Sequence, residues 1–181
     1  MGIILLIVII AIIFYLINIY NNLIKMNEKI NVNWSQVDVV LKQRADLIPN
    51  LVETIKAAGN YEKSTLEAVI AARNKFVSSP TKADEIQASG EITSTLNRLF
   101  ALTESYPDLK ANQNYMNLQE QLTKLEDKIT KYRQFFNDSV YSYNRYCQVF
   151  PNSIIANMFK FNKADYFEIS EEEKETPKVK F

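Results

Sequence analysis

The sequence predicts an all-α protein in which an N-terminal transmembrane helix continues into a bundle of three to four long antiparallel helices, with a short C-terminal helix. The first charged side chain is Lys25, which follows a long apolar run. Only three Gly and five Pro occur in 181 residues, and no Asn-Gly or Asp-Gly pair separates alternating apolar runs, which argues against a sheet. Elsewhere apolar residues recur every three or four positions, the period of an amphipathic helix.

Residues 1–24 are predicted to form a membrane anchor. As a helix, residues 2–19 reach about 27 Å, against about 30 Å for a bilayer's hydrocarbon core. Fourteen Ile, Leu, Val and Phe residues lie between positions 3 and 19, and they favour insertion by about 4 to 8 kcal/mol. Because lipid offers backbone N–H and C=O groups no partner, a single span must be helical. The side chains expected to face the membrane or its interface are Ile3, Ile7, Ile10, Phe14, Ile17 and Tyr20.

The apolar run does not have the pattern of a cleaved signal, which needs a basic start, a shorter core and a small-residue cleavage site. We therefore expect an uncleaved, single-pass anchor. A large oligomer held together by these apolar helices stays open as an alternative, although Gly2 and Ala11 do not form a small-residue packing seam. Lys25 and Lys29 follow the span and no basic residue precedes it, which predicts an N-terminus outside and a cytoplasmic bundle.

The first soluble helix is predicted to continue directly from the anchor. Its phase passes Pro49 unbroken, so we expect a kink there, with the helix ending near Gly59. Residues 61–78 and 83–105 are the next two predicted helices, separated by a turn at residues 78–81. The apolar seam of the first helix comprises Ile30, Trp34, Val37, Leu41, Ala45, Ile48, Val52 and Ile55.

A long helix is predicted to start at Pro107, because proline is tolerated at the first helical position. Its seam has heptad spacing with one irregularity, as in coiled-coil packing. This seam comprises Tyr115, Leu118, Leu122, Leu125, Ile129, Tyr132, Phe136, Val140, Tyr143, Cys147 and Phe150. The short breaks between helices favour antiparallel neighbours within one chain.

Beyond the turn at residues 150–152, residues 153–161 are predicted to form a short helix that caps the bundle. The capping side chains are expected to be Ile154, Ile155, Phe159 and Phe161. The predicted bundle then covers residues 25–167, and residues 168–181 form a polar tail that we expect to be disordered.

Several separated motifs resemble the bacterial LemA family in order and spacing. They are Asn33-Trp34-Ser35-Gln36-Val37-Asp38, Arg44-Ala45-Asp46-Leu47-Ile48-Pro49-Asn50-Leu51-Val52, Tyr106-Pro107-Asp108-Leu109-Lys110-Ala111-Asn112, Tyr143-Asn144 and Phe150-Pro151. The resemblance implies an N-terminal anchor, a bundle of long antiparallel helices and a cytoplasmic domain. It implies no established activity, and it supplies no catalytic residues.

The composition excludes most catalytic and cofactor chemistry. There is no His, one Cys and only three scattered Gly, so imidazole catalysis, thiolate clusters and phosphate-binding loops are not expected. Basic and acidic residues balance at 21 each, which gives no reason to expect nucleic acid. Asp38, Asp46 and Glu53 could form a carboxylate site on the first helix. We favour solvated or paired carboxylates, with Lys42 within reach of Asp38 and Asp46.

Two surfaces are candidates for binding a partner. Arg44, Asp46, Pro49 and Asn50 could form a docking bend at the proline kink. The competing interpretation is structural: Ile48, Leu51 and Val52 pack inward while Asp46 caps a helix that restarts after Pro49. On the long helix, most aromatic residues fall within one narrow stripe typical of core, whereas Tyr141 lies outside it and is a candidate interface residue.

Together these observations predict a membrane-tethered, non-enzymatic scaffold that binds a protein partner or itself. No cofactor, metal or small-molecule substrate is expected. A self-assembling homo-oligomer and a membrane-associated enzyme that uses carboxylates are the alternative hypotheses.

Overall fold

The computed structural model describes residues 1–59 and 62–168. Helices account for the regular structure of these residues, and no strand forms among them, so the predicted all-α class is confirmed. The helices are α1 (Gly2–Ala57), α2 (Lys63–Val77), α3 (Lys82–Thr103), α4 (Pro107–Lys110), α5 (Gln113–Gln148) and α6 (Asn152–Met158). The predicted disordered tail lies outside the described residues, apart from Glu168.

Helix α1 is continuous from the apolar N-terminal run into the packed helices, as predicted. Proline removes one hydrogen bond, to the carbonyl of Ala45, yet α1 continues through Pro49 and ends at Ala57. Gly59, with a φ of 80°, follows this end. Because the helix does not restart after Pro49, the predicted capping role of Asp46 is wrong. The kink at Pro49 stays a prediction.

The predicted single helix from Pro107 is in fact two helices. A single turn, α4, ends at Lys110, and α5 begins at Gln113. The side chain of Asn112 explains the break, because its Oδ1 accepts hydrogen bonds from the backbone N–H of Asn114 at 2.9 Å and of Tyr115 at 3.2 Å. An asparagine in this position satisfies the free N–H groups at a helix start, which favours a new helix over continuation of the old one.

The contacts of the chain divide it into two compact units, and α1 and α5 contribute to both. Unit 1 comprises Met1–Val37 and Lys131–Tyr166. Unit 2 comprises Asp38–Thr130 and, among the described residues after it, residues 167 and 168.

The core of unit 2 includes apolar side chains from α1, α2, α3, α4 and α5. Ile48, Leu51 and Val52 are buried, as the structural interpretation of the proline motif predicts. Helices α2 and α3 pack against each other, and Lys75 of α2 forms an ion pair with Glu91 of α3. The other buried apolar residues include Leu41, Ala45, Ile55, Leu66, Val69, Phe76, Ile92, Leu96, Leu99, Tyr115, Leu122, Leu125 and Ile129.

The core of unit 1 joins the first part of α1 to the second part of α5 and to α6. The rings of Trp34 and Phe136 meet edge to face, with centroids 5.5 Å apart. The other buried side chains include Ile19, Leu23, Ile30, Val37, Val140, Tyr143, Cys147, Ile155 and Ala156.

Three expectations for the C-terminal part of unit 1 are wrong. Phe150 does not extend the α5 seam: α5 ends at Gln148, and the Phe150 side chain is 77% exposed in the turn that follows. Ile154 and Phe159 do not cap a core, since both are exposed, while Ile155 is buried and Phe161 is half-buried. Helix α6 has only seven residues and buries the side that carries Ile155, so its other apolar side faces outward.

Candidate functional site

The apolar start of α1 is the largest exposed apolar surface on the described residues. Within that part of the chain, α1 is the one helix long and apolar enough to cross a membrane. The predicted anchor side chains are exposed up to residue 17, and the first buried side chains of α1 are Ile19 and Leu23. Residues 2–18 therefore form a free apolar helix of about 26 Å. The exposed side chains among the predicted anchor residues are Ile3, Ile7, Ile10, Phe14 and Ile17.

Tyr20, the last predicted anchor residue, lies where the free helix meets unit 1. Its side chain is half-buried. The ring centroid is 4.8 Å from that of Phe159 and 5.8 Å from that of Phe161. Two residues further, Asn22 Nδ2 donates a hydrogen bond of 3.4 Å to Tyr146 Oη. The residues that follow α6 and the second part of α5 therefore contact α1 immediately after the apolar run.

The four residues of the proposed docking bend do not share one surface. Asp46, Pro49 and Asn50 are exposed, whereas the Arg44 side chain is 1% exposed. Arg44 is thus not presented to a partner as the docking hypothesis requires. Docking through the other three residues stays a prediction.

Arg44 instead joins three helices inside unit 2. Its Nη1 donates to Thr93 Oγ1 of α3 and to Glu126 Oε2 of α5, both at 2.7 Å. Its Nη2 donates to the Ser89 carbonyl at 2.9 Å. Thr93 Oγ1 also lies 3.2 Å from Glu126 Oε1, so hydroxyl, carboxylate and guanidinium form one connected network.

The sequence contains a signal for this network that our prediction did not use. Arg44 lies three residues after Leu41 and four before Ile48, so it occupies the buried seam of α1. A buried guanidinium must be paired. The identity of the partner, Glu126, could not be read from the sequence, because 82 residues separate the two side chains.

The candidate carboxylates of α1 are paired or exposed. Asp38 Oδ2 is 2.7 Å from Lys42 Nζ, and this hydrogen bond raises the pKa of Lys42. Glu53 forms an exposed pair with Lys56 at 3.1 Å, and Asp46 is exposed. Burial raises the pKa of Glu85, with a further contribution from the nearby Asp38 carboxylate. No three His, Cys, Asp or Glu side chains of residues 1–59 and 62–168 are arranged to hold a metal.

Tyr141 lies on the surface of unit 1, with 54% of the residue exposed. It borders an open groove of about 280 Å³ formed by the end of α5 and the start of α6. The lining residues are Tyr141, Ser142, Arg145, Tyr146, Val149 and Asn152. The lining of the groove therefore offers aromatic, cationic and aliphatic side chains together.

Tyr143 and Asn144 hold the irregular segment after α6. Tyr143 Oη donates to the Asn162 carbonyl at 3.0 Å. The Asn144 amide forms two bonds of 2.9 Å with the backbone of Ala164, one donated and one accepted. Burial raises the pKa of Tyr143 to about 12, with the neighbouring Cys147 as a second cause. Burial also raises the pKa of the Cys147 thiol.

Comparison with known proteins agrees with the motifs. The profile of the LemA family matches residues 33–181. Magnetosome protein MamQ 2 of Paramagnetospirillum magneticum is 24% identical over 175 residues, which cover 82% of this chain and 64% of that protein. Protein LemA of Metamycoplasma hominis is 24% identical over 155 residues, covering 85% of this chain and 71% of that protein. The chain thus spans slightly less than two thirds of the MamQ protein. With a profile match over most of its length, the chain belongs to the LemA family.

Proposed function

We propose that this protein is a membrane-tethered, non-enzymatic interaction module. The observation that carries the proposal is the continuity of α1. One helix, Gly2–Ala57, provides both a free apolar segment that matches a bilayer and buried side chains in the core of each unit. A tether of this kind confines a binding surface to one membrane and raises its effective concentration there.

The polar interior supports a structural role for the helices. Arg44 is the largest polar side chain in the core, and its guanidinium bonds to two side chains and one carbonyl. Thr103 and Tyr115 form a buried hydroxyl pair at 2.6 Å. The two Nη atoms of Arg44 and the two hydroxyl groups are paired across helices of unit 2, as expected of polar groups that hold helices together.

The Tyr141 groove is the surface that we propose binds a protein partner. Tyrosine and arginine are enriched among the residues that dominate binding energy at protein interfaces. Tyr141 and Arg145 lie four residues apart on α5, so both side chains are presented on the same side of that helix. Their exposure makes them available without any rearrangement of the core.

Site-specific photo-crosslinking tests this function. A photoreactive amino acid replaces Tyr141 in the full chain in its native membrane, and the same substitution at the exposed Gln36 of α1 is the control. We expect a discrete crosslinked product from position 141 that is absent from position 36. The Arg145→Ala variant should reduce that product. Equal or no crosslinking at the two positions would contradict the proposal.

A second copy of this chain is the alternative binding partner for this groove. The mass of the crosslinked product distinguishes the two, because a second copy of the chain doubles the 21.0 kDa monomer. A product of twice the monomer mass, from position 141 but not from position 36, would replace the partner hypothesis with a homo-oligomer.

A further inference from the structure

The outer side of the α6 region is apolar, although it faces away from the core. Phe150, Ile154, Met158 and Phe159 are 77%, 56%, 61% and 51% exposed. Ile154 and Met158 are four residues apart, so they lie on one side of the helix, while the adjacent Ile155 and Ala156 are buried. We refer to the four exposed side chains as the α6 apolar face. Clusters of exposed apolar side chains are typical of surfaces that contact a protein or a membrane.

This face lies beside the point where α1 leaves its free apolar segment. Phe159 packs on Tyr20, with ring centroids 4.8 Å apart. Tyr20 is two residues beyond the last position of that segment, residue 18, so it lies about 3 Å further along the helix axis. Both side chains belong to unit 1.

The length of the free segment indicates what covers the face. A hydrocarbon core of about 30 Å needs about 20 helical residues, which corresponds to residues 2–21. Ile19 is already buried within the protein at that depth. Protein that covers α1 at Ile19 and Tyr20 must therefore lie at the boundary of the bilayer, where its own outer surface meets lipid.

We propose that the α6 apolar face rests in the interfacial layer of the same bilayer that α1 crosses. The proposal depends on the membrane span of the proposed function. Phe, Met and Ile are suited to the acyl boundary, and the exposed Lys160 and Lys163 next to them are suited to anionic headgroups. The exposed Asp165 opposes part of this positive charge.

A second membrane contact changes what the tether does. A single span alone leaves α1 free to rotate about its own axis. Phe159 packs on one side of α1 at Tyr20. Insertion of the α6 apolar face in the bilayer therefore fixes the rotation of α1 about its axis. The Tyr141 groove, which includes Asn152 of α6, is then held at a defined orientation close to the membrane.

Depth-dependent fluorescence quenching tests this inference in the full chain. A cysteine replaces Met158 in a Cys147→Ala background, carries an environment-sensitive fluorophore, and is reconstituted in vesicles of phosphatidylcholine and phosphatidylglycerol. The matched control is the same label at Val32, an exposed apolar residue of unit 1. Val32 lies about 18 Å along α1 from Tyr20. A third label at Ile10 reports the span itself.

We expect lipids that carry a quencher near the headgroup end of the acyl chain to quench the label at 158 about threefold more than the label at 32. Aqueous iodide should show the reverse order. Equal quenching of the two labels by both reagents would overturn the inference. If the label at 158 resists both reagents, the face is covered by protein, such as a second copy, and the inference is also overturned. Lipid quenching at residue 10 without quenching at 158 refutes only this inference, whereas its absence at residue 10 refutes the membrane tether.

Discussion

The Arg44 network makes a sharp prediction about the Glu126→Ala variant. Arg44 is 1% exposed, and of the three groups that accept hydrogen bonds from its guanidinium in the described residues, Glu126 alone is charged. Removing the carboxylate leaves a buried guanidinium with two neutral oxygen partners. Arg44 Nε already has no hydrogen-bond partner, so the guanidinium is incompletely solvated even with Glu126 present. The charge therefore becomes largely uncompensated in the folded state.

The size of the effect follows from burial. Removing one partner of a fully buried ion pair destabilises a protein by about 3–5 kcal/mol. The Glu126 side chain is 40% exposed, so in the variant water can reach the vacated position and partly solvate the Arg44 guanidinium. We therefore expect a loss of about 2–3 kcal/mol in the free energy of unfolding, below the fully buried range.

Urea unfolding of the full chain in detergent, followed by far-UV circular dichroism, measures this loss. The matched control is Glu120→Ala on the same helix, which removes an exposed pair with Lys124 at 2.6 Å. Because exposed pairs contribute little, the control should leave the urea midpoint unchanged within error. Equal midpoints for the two variants would refute the argument that Glu126 compensates a buried Arg44.

Three further predictions concern the C-terminal segment and the membrane topology. Asn144→Ala removes both bonds to Ala164 and should lower stability by about 1–3 kcal/mol; it should also speed amide exchange at Ala164, whereas the exposed Asn157→Ala should do neither. Because the pKa of Tyr143 is raised from 10.0 to about 12, its contribution to the free energy of unfolding is full below pH 10 and is lost as the pH rises towards 12, and Tyr143→Phe should flatten that part of the stability curve; parallel curves for both proteins would contradict this. A cysteine that replaces Gln36 in a Cys147→Ala background should react with a membrane-impermeant maleimide only after the cells are opened, because the sequence predicts a cytoplasmic location for this residue. Labelling in intact cells would contradict the predicted orientation.

The helices could be predicted because their signals are local. An apolar run, a three- or four-residue period and the position of Pro80 are each read within a few residues. These local signals are enough to predict the continuity of α1, the presence of α2 and α3, and most of the α5 seam. The apolar period does not reveal the break before α5, because that break depends on one polar side chain, Asn112, which caps the new helix.

The contacts between distant parts of the chain could not be predicted in the same way. The motif residue Arg44 pairs with a glutamate 82 residues away. Tyr143 and Asn144 bond to backbone atoms 19 and 20 residues later, and a backbone partner has no sequence signature. Phe150 continues the heptad spacing of the α5 seam, but the chain turns after Gln148 and leaves the Phe150 ring exposed. Helical period alone does not reveal where a helix ends.

The most direct test of the membrane tether is a comparison of the full chain with a variant that lacks residues 2–18, each expressed in cells. Membranes are washed with alkaline carbonate, which releases proteins that are not inserted in the bilayer. We predict that the full chain remains in the washed membranes and that the shortened chain is released, because the α6 apolar face provides only an interfacial contact. Release of the full chain, or equal retention of both chains, would contradict the account of α1 as a transmembrane tether.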